Sequence, residues 1–150
     1  MSVLKKCLLV ALLVVGASLT AQDDLGKQVY STVCIACHQP TGAGLPPVFP
    51  TLINTEYVNG SSERMAAMVL KGVMGPITVN GIPYNNIMPP QEAMLTDEKI
   101  AAVLTYVRGN FGNKAAPVKP EIVSEARKKF AAKATMWSEA ELKAWPEDKK

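Results

Sequence analysis

From residue 22 onward, apolar positions recur at helical spacing in three stretches. In the first, Leu25, Val29 and Val33 stand four apart and Tyr30 widens the same face. Asp23 and Asp24 precede this stripe, where carboxylates accept from the unpaired N–H groups of a helix start and meet the positive end of its dipole. A helix is therefore predicted from Asp23 toward Cys34. A second helix is predicted from Ser61 or Ser62, with Glu63 in its first turn, Met65, Met68 and Val69 on one face, and a stop at Gly72. A third is predicted after Thr96 as N-cap, with Asp97 and Glu98 in the first turn. Leu95 and Ile100 form a hydrophobic staple there, and Ile100, Val103, Leu104 and Val107 make the stripe, with Tyr106 beside it. Gly109 and Gly112 end it. Between helices the period changes. Thr41-Gly42-Ala43-Gly44 and the prolines Pro46, Pro47 and Pro50 exclude long regular structure. Ile77 to Tyr84 reads as a β-hairpin, because Asn80-Gly81 suits the positive φ angles of a type I′ turn. Asn85 to Ala93, with Pro89-Pro90, reads as a loop.

Both ends differ from this middle. Lys5 and Lys6 precede an unbroken apolar and small run from Cys7 to Ala17, and Ser18 to Ala21 follows. That is the pattern of a secretory signal peptide, cut after Ala21, with Leu19 larger than the small residue preferred at its position. The run is shorter than the roughly 18–20 residues of a spanning helix, so an uncleaved membrane anchor is the lesser reading. Cys7 lacks the small residues that precede a lipidated cysteine and falls in the removed segment. After Gly112, Lys114 to Pro120 is a Pro/Ala linker, and a helix is expected from Pro120-Glu121. Ser138-Glu139-Ala140-Glu141 is a capping box for a last short helix, with Trp137 and Leu142 as its staple. The chain thus divides into an export signal (1–21), a main domain (22–113) and a linker with a helical extension (114–150). The destination is the periplasm in a Gram-negative cell.

Composition narrows the function. The chain has 150 residues, 48% hydrophobic and 19% charged, which fits one globular domain plus extras and excludes a polyelectrolyte. The net charge of +3 is too small for a nucleic-acid footprint. Without residues 1–21, fourteen basic residues face thirteen acidic ones, a net of +1. Residues 22–113 hold five basic and seven acidic residues (−2), and residues 114–150 hold nine and six (+3). Three cysteines and one histidine exclude a multi-disulfide scaffold and make a zinc site hard to build. Aromatic content of 6% is thin. Either the core is aliphatic or something other than an amino acid fills part of it.

Cys34-Ile35-Ala36-Cys37-His38 is C-x-x-C-H, the attachment signature of c-type haem. Two thiols three residues apart in one turn can each reach one vinyl group of a porphyrin, and the adjacent histidine is then held under the iron. A redox dithiol would need a thioredoxin-like βαβ setting, whereas these flanks are helix and Pro/Gly loop. Zinc would need carboxylates to complete its shell, and a chance match is disfavoured by the export signal. With the single histidine used, methionine is the usual second ligand. Met65 and Met68 sit at core spacing on a helix, and Met136 lies in the extension. Met74 and Met94 are loop-edge candidates. Met88, between the hairpin and Pro89-Pro90, has rigid ends that can hold a thioether toward a haem face, and it is the favoured ligand.

Residues 24–112 resemble class I mono-haem c-type cytochromes, small exported bacterial proteins. Gly26, Tyr30, Cys34-x-x-Cys37-His38, Pro50-x-Leu52, Met88-Pro89 and Tyr106 stand in the family's order and approximate spacing. The resemblance implies a mostly α fold, with three to four helices around one haem and a short β-hairpin, plus the C-terminal helical tail. It implies that Gly26 and Tyr30 lie where the first helix crosses the last, and that the Pro50 carbonyl accepts from Nδ1 of the proximal His38. The segment Gly75 to Pro90 is similar to haem domains fused or paired with quinoprotein dehydrogenases or copper enzymes.

The site expected from these readings is Cys34 and Cys37 tethering one covalent haem c, Pro50 orienting the histidine, and His38 and Met88 on the iron. The function expected is one-electron transfer, not enzymatic, with redox partners such as a quinoprotein dehydrogenase, a copper enzyme or a terminal oxidase. No nucleic acid and no embedding in a membrane are expected. The alternative is a haem-based peroxidase or gas sensor, which needs a labile sixth ligand. An apolar docking patch is expected from Ile35, Ala36, Pro47, Val48 and Ile87. The extension, with Trp137, Leu142 and Trp145, either docks on a partner or packs on its own domain, and the second is the expectation taken.

Overall fold

The computed structural model describes residues 22–146, so the expected export signal at 1–21 lies outside the described residues. Helix α1 covers residues 22–38. Residue 22 is already helical, so Asp23 and Asp24 lie within the helix and do not cap it. Its turn Tyr30–Cys34 is π-helical, with the Ile35 N–H donating to the Tyr30 carbonyl five residues back, and Ile35–His38 completes the helix. Such an inserted residue is invisible to a 3.6-residue periodicity, and it re-aims the side chains that follow.

Helix α2 (Glu56–Asn59) was not legible as a stripe because it is one turn long. It is capped by Thr55, whose hydroxyl accepts from the Val58 N–H. Helix α3 (Ser62–Lys71) starts at the Ser61 cap and ends at Gly72, where φ is +73°. Strands β1 (Pro76–Val79) and β2 (Ile82–Asn85) pair antiparallel across Asn80 and Gly81, both at positive φ as a type I′ turn requires. Helix α4 (Asp97–Gly109) starts at Thr96, whose hydroxyl accepts from the Lys99 N–H. Its end differs from expectation. Asn110 is the cap, and the left-handed residues are Phe111 and Gly112, not Gly109. Helix α5 (Pro120–Lys129) and helix α6 (Glu139–Lys143) form the extension, and the capping box of Ser138 and Glu141 is present in full.

Two apolar cores result. The first joins Val29 and Tyr30 of α1, Met65 and Leu70 of α3, Ile100, Leu104 and Val107 of α4, and Val118, Val123 and Ala126 of the extension. Gly26 lets α1 cross α4 closely. A Cβ there would collide with the Ala102 carbonyl oxygen and stand 2.7 Å from Tyr106 Cβ. The second core joins Tyr57, Ala67, Val73, the hairpin residues Ile77, Val79 and Tyr84, and Trp137 and Leu142.

The extension therefore packs on its own domain. Val123 and Leu142 are fully buried, each contributing about 1.5–3 kcal/mol by burial. The linker is pinned as well. The Val118 N–H donates to Thr105 Oγ1, and Arg108 Nε donates to the Ala116 carbonyl at 2.7 Å. Arg127 binds the Asp97 carboxylate and the Glu92 and Leu95 carbonyls, tying α5 to the start of α4.

Candidate functional site

One cleft is walled by both cores. Counting the part open to solvent, it encloses about 1370 Å³. Its lining is almost wholly apolar and draws on both halves of the domain, so it suits a large apolar ligand. Cys34, Cys37 and His38 line it from the end of α1, and Pro50 and Leu52 from the irregular segment that follows. Val73, Tyr84, Ile87, Met88 and Pro89 line it from the second half of the domain. Cys34 packs against the first core and Met88 against the second.

The methionines now separate. Met74 and Met94 are exposed and do not line the cleft, whereas Met88 does. Met65 and Met68 line it too, from α3, with Met65 buried in the first core.

The imidazole of His38 is fixed from behind. Its Nδ1 lies 3.0 Å from the Pro50 carbonyl oxygen, which only accepts, so Nδ1 carries the proton and Nε2 keeps its lone pair. Burial lowers the His38 pKa, against a smaller upward pull from that hydrogen bond, and the ring is neutral. A neutral imidazole with one nitrogen anchored is the form that binds metal. The Cys34 thiol is pushed up to about 11, first by burial and then by the neighbouring Cys37. Neither cysteine is in a disulfide. Among the described residues no three His, Cys, Asp or Glu side chains cluster to hold an ion, the grouping that a zinc shell would need.

The segment behind His38 is itself braced. Asn113 Oδ1 accepts from the Asn54 N–H at 2.8 Å, and its Nδ2 donates to the Leu52 and Val107 carbonyls. Tyr30 donates to the Gln39 carbonyl at 2.6 Å, just past the histidine. Burial, followed by the Cys34 and Tyr106 neighbours, raises its hydroxyl to about 12.

Residues 24–110 match the family model of cytochrome c. The chain is 37% identical over 133 residues to a cytochrome c-552 of Thermus thermophilus, across 85% of this chain and 88% of that one. This chain belongs to the cytochrome c family. It is also 31% identical over 119 residues to the fructose dehydrogenase cytochrome subunit of Gluconobacter japonicus, 75% of this chain but 24% of that subunit. With the cytochrome c subunit of a quinone alcohol dehydrogenase from Gluconobacter oxydans it shares 32% over 95 residues, 63% of this chain and 20% of that one.

The mostly helical fold with one small hairpin is that of a class I cytochrome c. Membership brings a covalently bound haem c with its iron, and a role in electron transfer.

The cleft fits that group on an observation independent of the family. The hydroxyls of Tyr57 and Tyr84 are buried, belong to residues that line the cleft, and have no hydrogen-bond partner among the described residues. Buried unpaired hydroxyls are costly unless a ligand supplies acceptors, and the haem carboxylates are such acceptors. Arg64 stands over the Tyr57 ring, 5.2 Å from its centroid. Burial, followed by the Glu139 and Glu56 carboxylates, raises the Tyr57 hydroxyl to about 12, so it remains a donor. The sequence reading missed both tyrosines. The signal for Tyr84 was the hairpin alternation, which turns Ile77, Val79 and Tyr84 to one buried side. Tyr57 had no such signal, because α2 is too short to show a stripe.

Proposed function

We propose that this cytochrome is an exported one-electron carrier whose axial positions are both filled by its own side chains. Cys34 and Cys37 would tether the porphyrin, His38 would ligate the iron through Nε2, and Met88 would ligate it through its thioether. The Pro50 carbonyl holds the imidazole in the tautomer that leaves Nε2 free. The observation that carries this reading is one cleft lined by Cys34, Cys37, His38 and Met88, from which Met74 and Met94 are excluded. When bound, the haem supplies a ferric–ferrous couple at its iron. The chain's part is to keep water from the iron, to fix both ligands so that little moves between oxidation states, and to expose one edge. With His38 and Met88 both on the iron, no position would be left there for a substrate.

The export reading rests on Lys5, Lys6 and the apolar run from Cys7 to Ala17. No helix among the described residues is long and apolar enough to cross a membrane. Relatives named as dehydrogenase cytochrome subunits support a dehydrogenase as the donor, and the acceptor proposed with it is a copper enzyme or a terminal oxidase. Docking is assigned to the apolar rim of the cleft. Val48 and Ile87 are 43% and 52% exposed and both line the cleft, and Ala36 and Pro47 are exposed as well. Leu45, at 53%, joins them, while Ile35 is half-buried against the first core and drops out of the expected patch.

The test is the weak long-wavelength iron–thioether absorption band of the ferric protein. It is expected at neutral pH and is expected to vanish in Met88→Ala but persist in Met74→Ala and Met94→Ala. A protein lacking the band and binding cyanide rapidly would overturn the carrier reading in favour of peroxidase or gas-sensing chemistry.

A further inference from the structure

Val73 is the middle of a three-segment backbone sheet that the sequence does not announce. On one side the Val73 N–H donates to the Met88 carbonyl at 3.0 Å, and the Met88 N–H donates to the Val73 carbonyl at 2.9 Å. On the other side the Trp137 N–H donates to the Gly72 carbonyl and the Met74 N–H donates to the Trp137 carbonyl, both at 3.0 Å. Met88 and Trp137 thus flank one residue, antiparallel and parallel respectively. Both backbone groups of Met88 are committed to Val73, and both of Trp137 to the residues on either side of it.

Trp137 is itself held firmly. Its indole is 7% exposed, and Nε1 donates to the Ala67 carbonyl of α3 at 2.9 Å. The rings of Phe130 and Trp145 lie 5.0 and 5.2 Å away edge-on, and the Lys133 ammonium stands 4.3 Å over its face. The Met88 segment has few other ties to α3: the Gln91 N–H to the Val69 carbonyl, the Glu92 N–H to the Leu70 carbonyl, and the Glu92 carboxylate to Lys71. Residues 85–87 ahead of it are exposed.

The geometry points to Trp137 as a positioning residue for Met88: by clamping the 72–74 strand, the C-terminal extension sets how readily Met88 leaves the cleft. The inference rests on the reading of Met88 as the axial ligand. Its physical content is a local opening equilibrium. A segment on a short sheet opens with a free energy set by its neighbours, well below that of global unfolding. Removing the indole loosens the middle strand, and Met88 is bonded to that strand and to no other.

Displacement of the native ligand from the ferric, haem-loaded, full-length protein by added imidazole reads this opening directly. Trp137→Ala is expected to speed displacement about tenfold or more, about 1.4 kcal/mol of opening free energy per decade. Trp137→Phe, which keeps much of the packing and loses Nε1–H, is expected to fall between it and the parent. Val123→Ala removes a fully buried side chain of the extension from the first core, whereas Val73 and Trp137 belong to the second. It controls for a general loss of stability and is expected to lower the melting temperature with little change in displacement rate. Equal rates in the parent and Trp137→Ala, or equal acceleration by Val123→Ala at matched loss of melting temperature, would overturn the inference. If the thioether band survives in Met88→Ala, it is the ligand reading that fails. If Met88→Ala abolishes the band and the Trp137 variants are unaffected, the clamp alone fails.

Discussion

Gly26 and Tyr106 meet where α1 crosses α4, so closely that a methyl group on Gly26 would stand 2.7 Å from Tyr106 Cβ. The Ala102 carbonyl leaves still less room on the other side. Gly26→Ala therefore has to push the helices apart and is expected to cost about 1–3 kcal/mol, the usual range for overpacking. Guanidinium unfolding of the haem-loaded protein measures it. A midpoint unchanged from the parent would mean that the crossing yields freely.

Arg108 is 5% exposed at the end of α4 and joins three segments. Its Nε donates to the Ala116 carbonyl, and its Nη1 donates to the Val58 and Gly60 carbonyls at 2.7 and 3.0 Å. Arg108→Ala strands these carbonyls, and hydrogen bonds to a charged group are worth about 1.5–3 kcal/mol each. A loss of at least about 2 kcal/mol is expected on that scale. Arg108→Lys is expected to recover little, because a single ammonium cannot fork to the linker and α2 together. Chemical denaturation of both variants checks this, and full rescue by lysine would show that charge alone suffices.

Tyr57→Phe and Tyr84→Phe remove only two hydroxyls, neither of which has a partner among the described residues. If they donate to the haem carboxylates, their loss leaves more negative charge beside the iron and favours the ferric state. Each variant is expected to lower the midpoint potential, measured by spectroelectrochemical titration. Potentials equal to the parent in both would place the carboxylates elsewhere.

Glu141 is held at a pKa of about 2, first by Lys133 and then by the Ser138 backbone and hydroxyl of the capping box. Its folded pKa is depressed, so its contribution is present above the ordinary value of 4.5 and is lost as the pH falls from there toward 2. The group is open to water, so the contribution is small, about 0.2–1 kcal/mol for such a pair. Glu141→Ala is expected to melt below the parent at pH 7, with the gap closing between pH 4.5 and 2. Calorimetry at several pH values reads it, and a gap constant with pH would assign the effect to packing.

An ionic-strength series tests the docking assignment. The rim residues Leu45, Val48 and Ile87 are uncharged, and residues 22–113 carry a net of only −2. Electron-transfer rates with the native partner are expected to change little between low and physiological salt. A steep fall would transfer the recognition to charged groups.

What could be read from the chain was what local chemistry encodes. Ser61, Thr96 and Ser138 announced their helices because a cap needs only the next three residues. Asn80-Gly81 announced the hairpin for a similar reason, and the thiols and the histidine lie in one five-residue motif. What could not be read depends on distant segments. The π-helical turn at Tyr30–Cys34 leaves no periodic trace, and α2 is shorter than its own period. Gly109 looked like a stop, yet the chain leaves α4 through Asn110, whose side chain satisfies the Tyr106 carbonyl. The meeting of Met88 and Trp137 across Val73 joins residues nearly fifty positions apart, and no local pattern encodes it.

Gly72 shows how an absent side chain can act as a spacer. At φ +73° it lies against the chain that follows Met88, and a Cβ there would stand 2.5 Å from the Met88 carbonyl oxygen and 2.9 Å from the Pro90 nitrogen. Any larger residue would have to displace the backbone from Met88 to Pro90. The spacing between the end of α3 and the Met88–Pro90 backbone is thus gauged by a residue with no side chain at all.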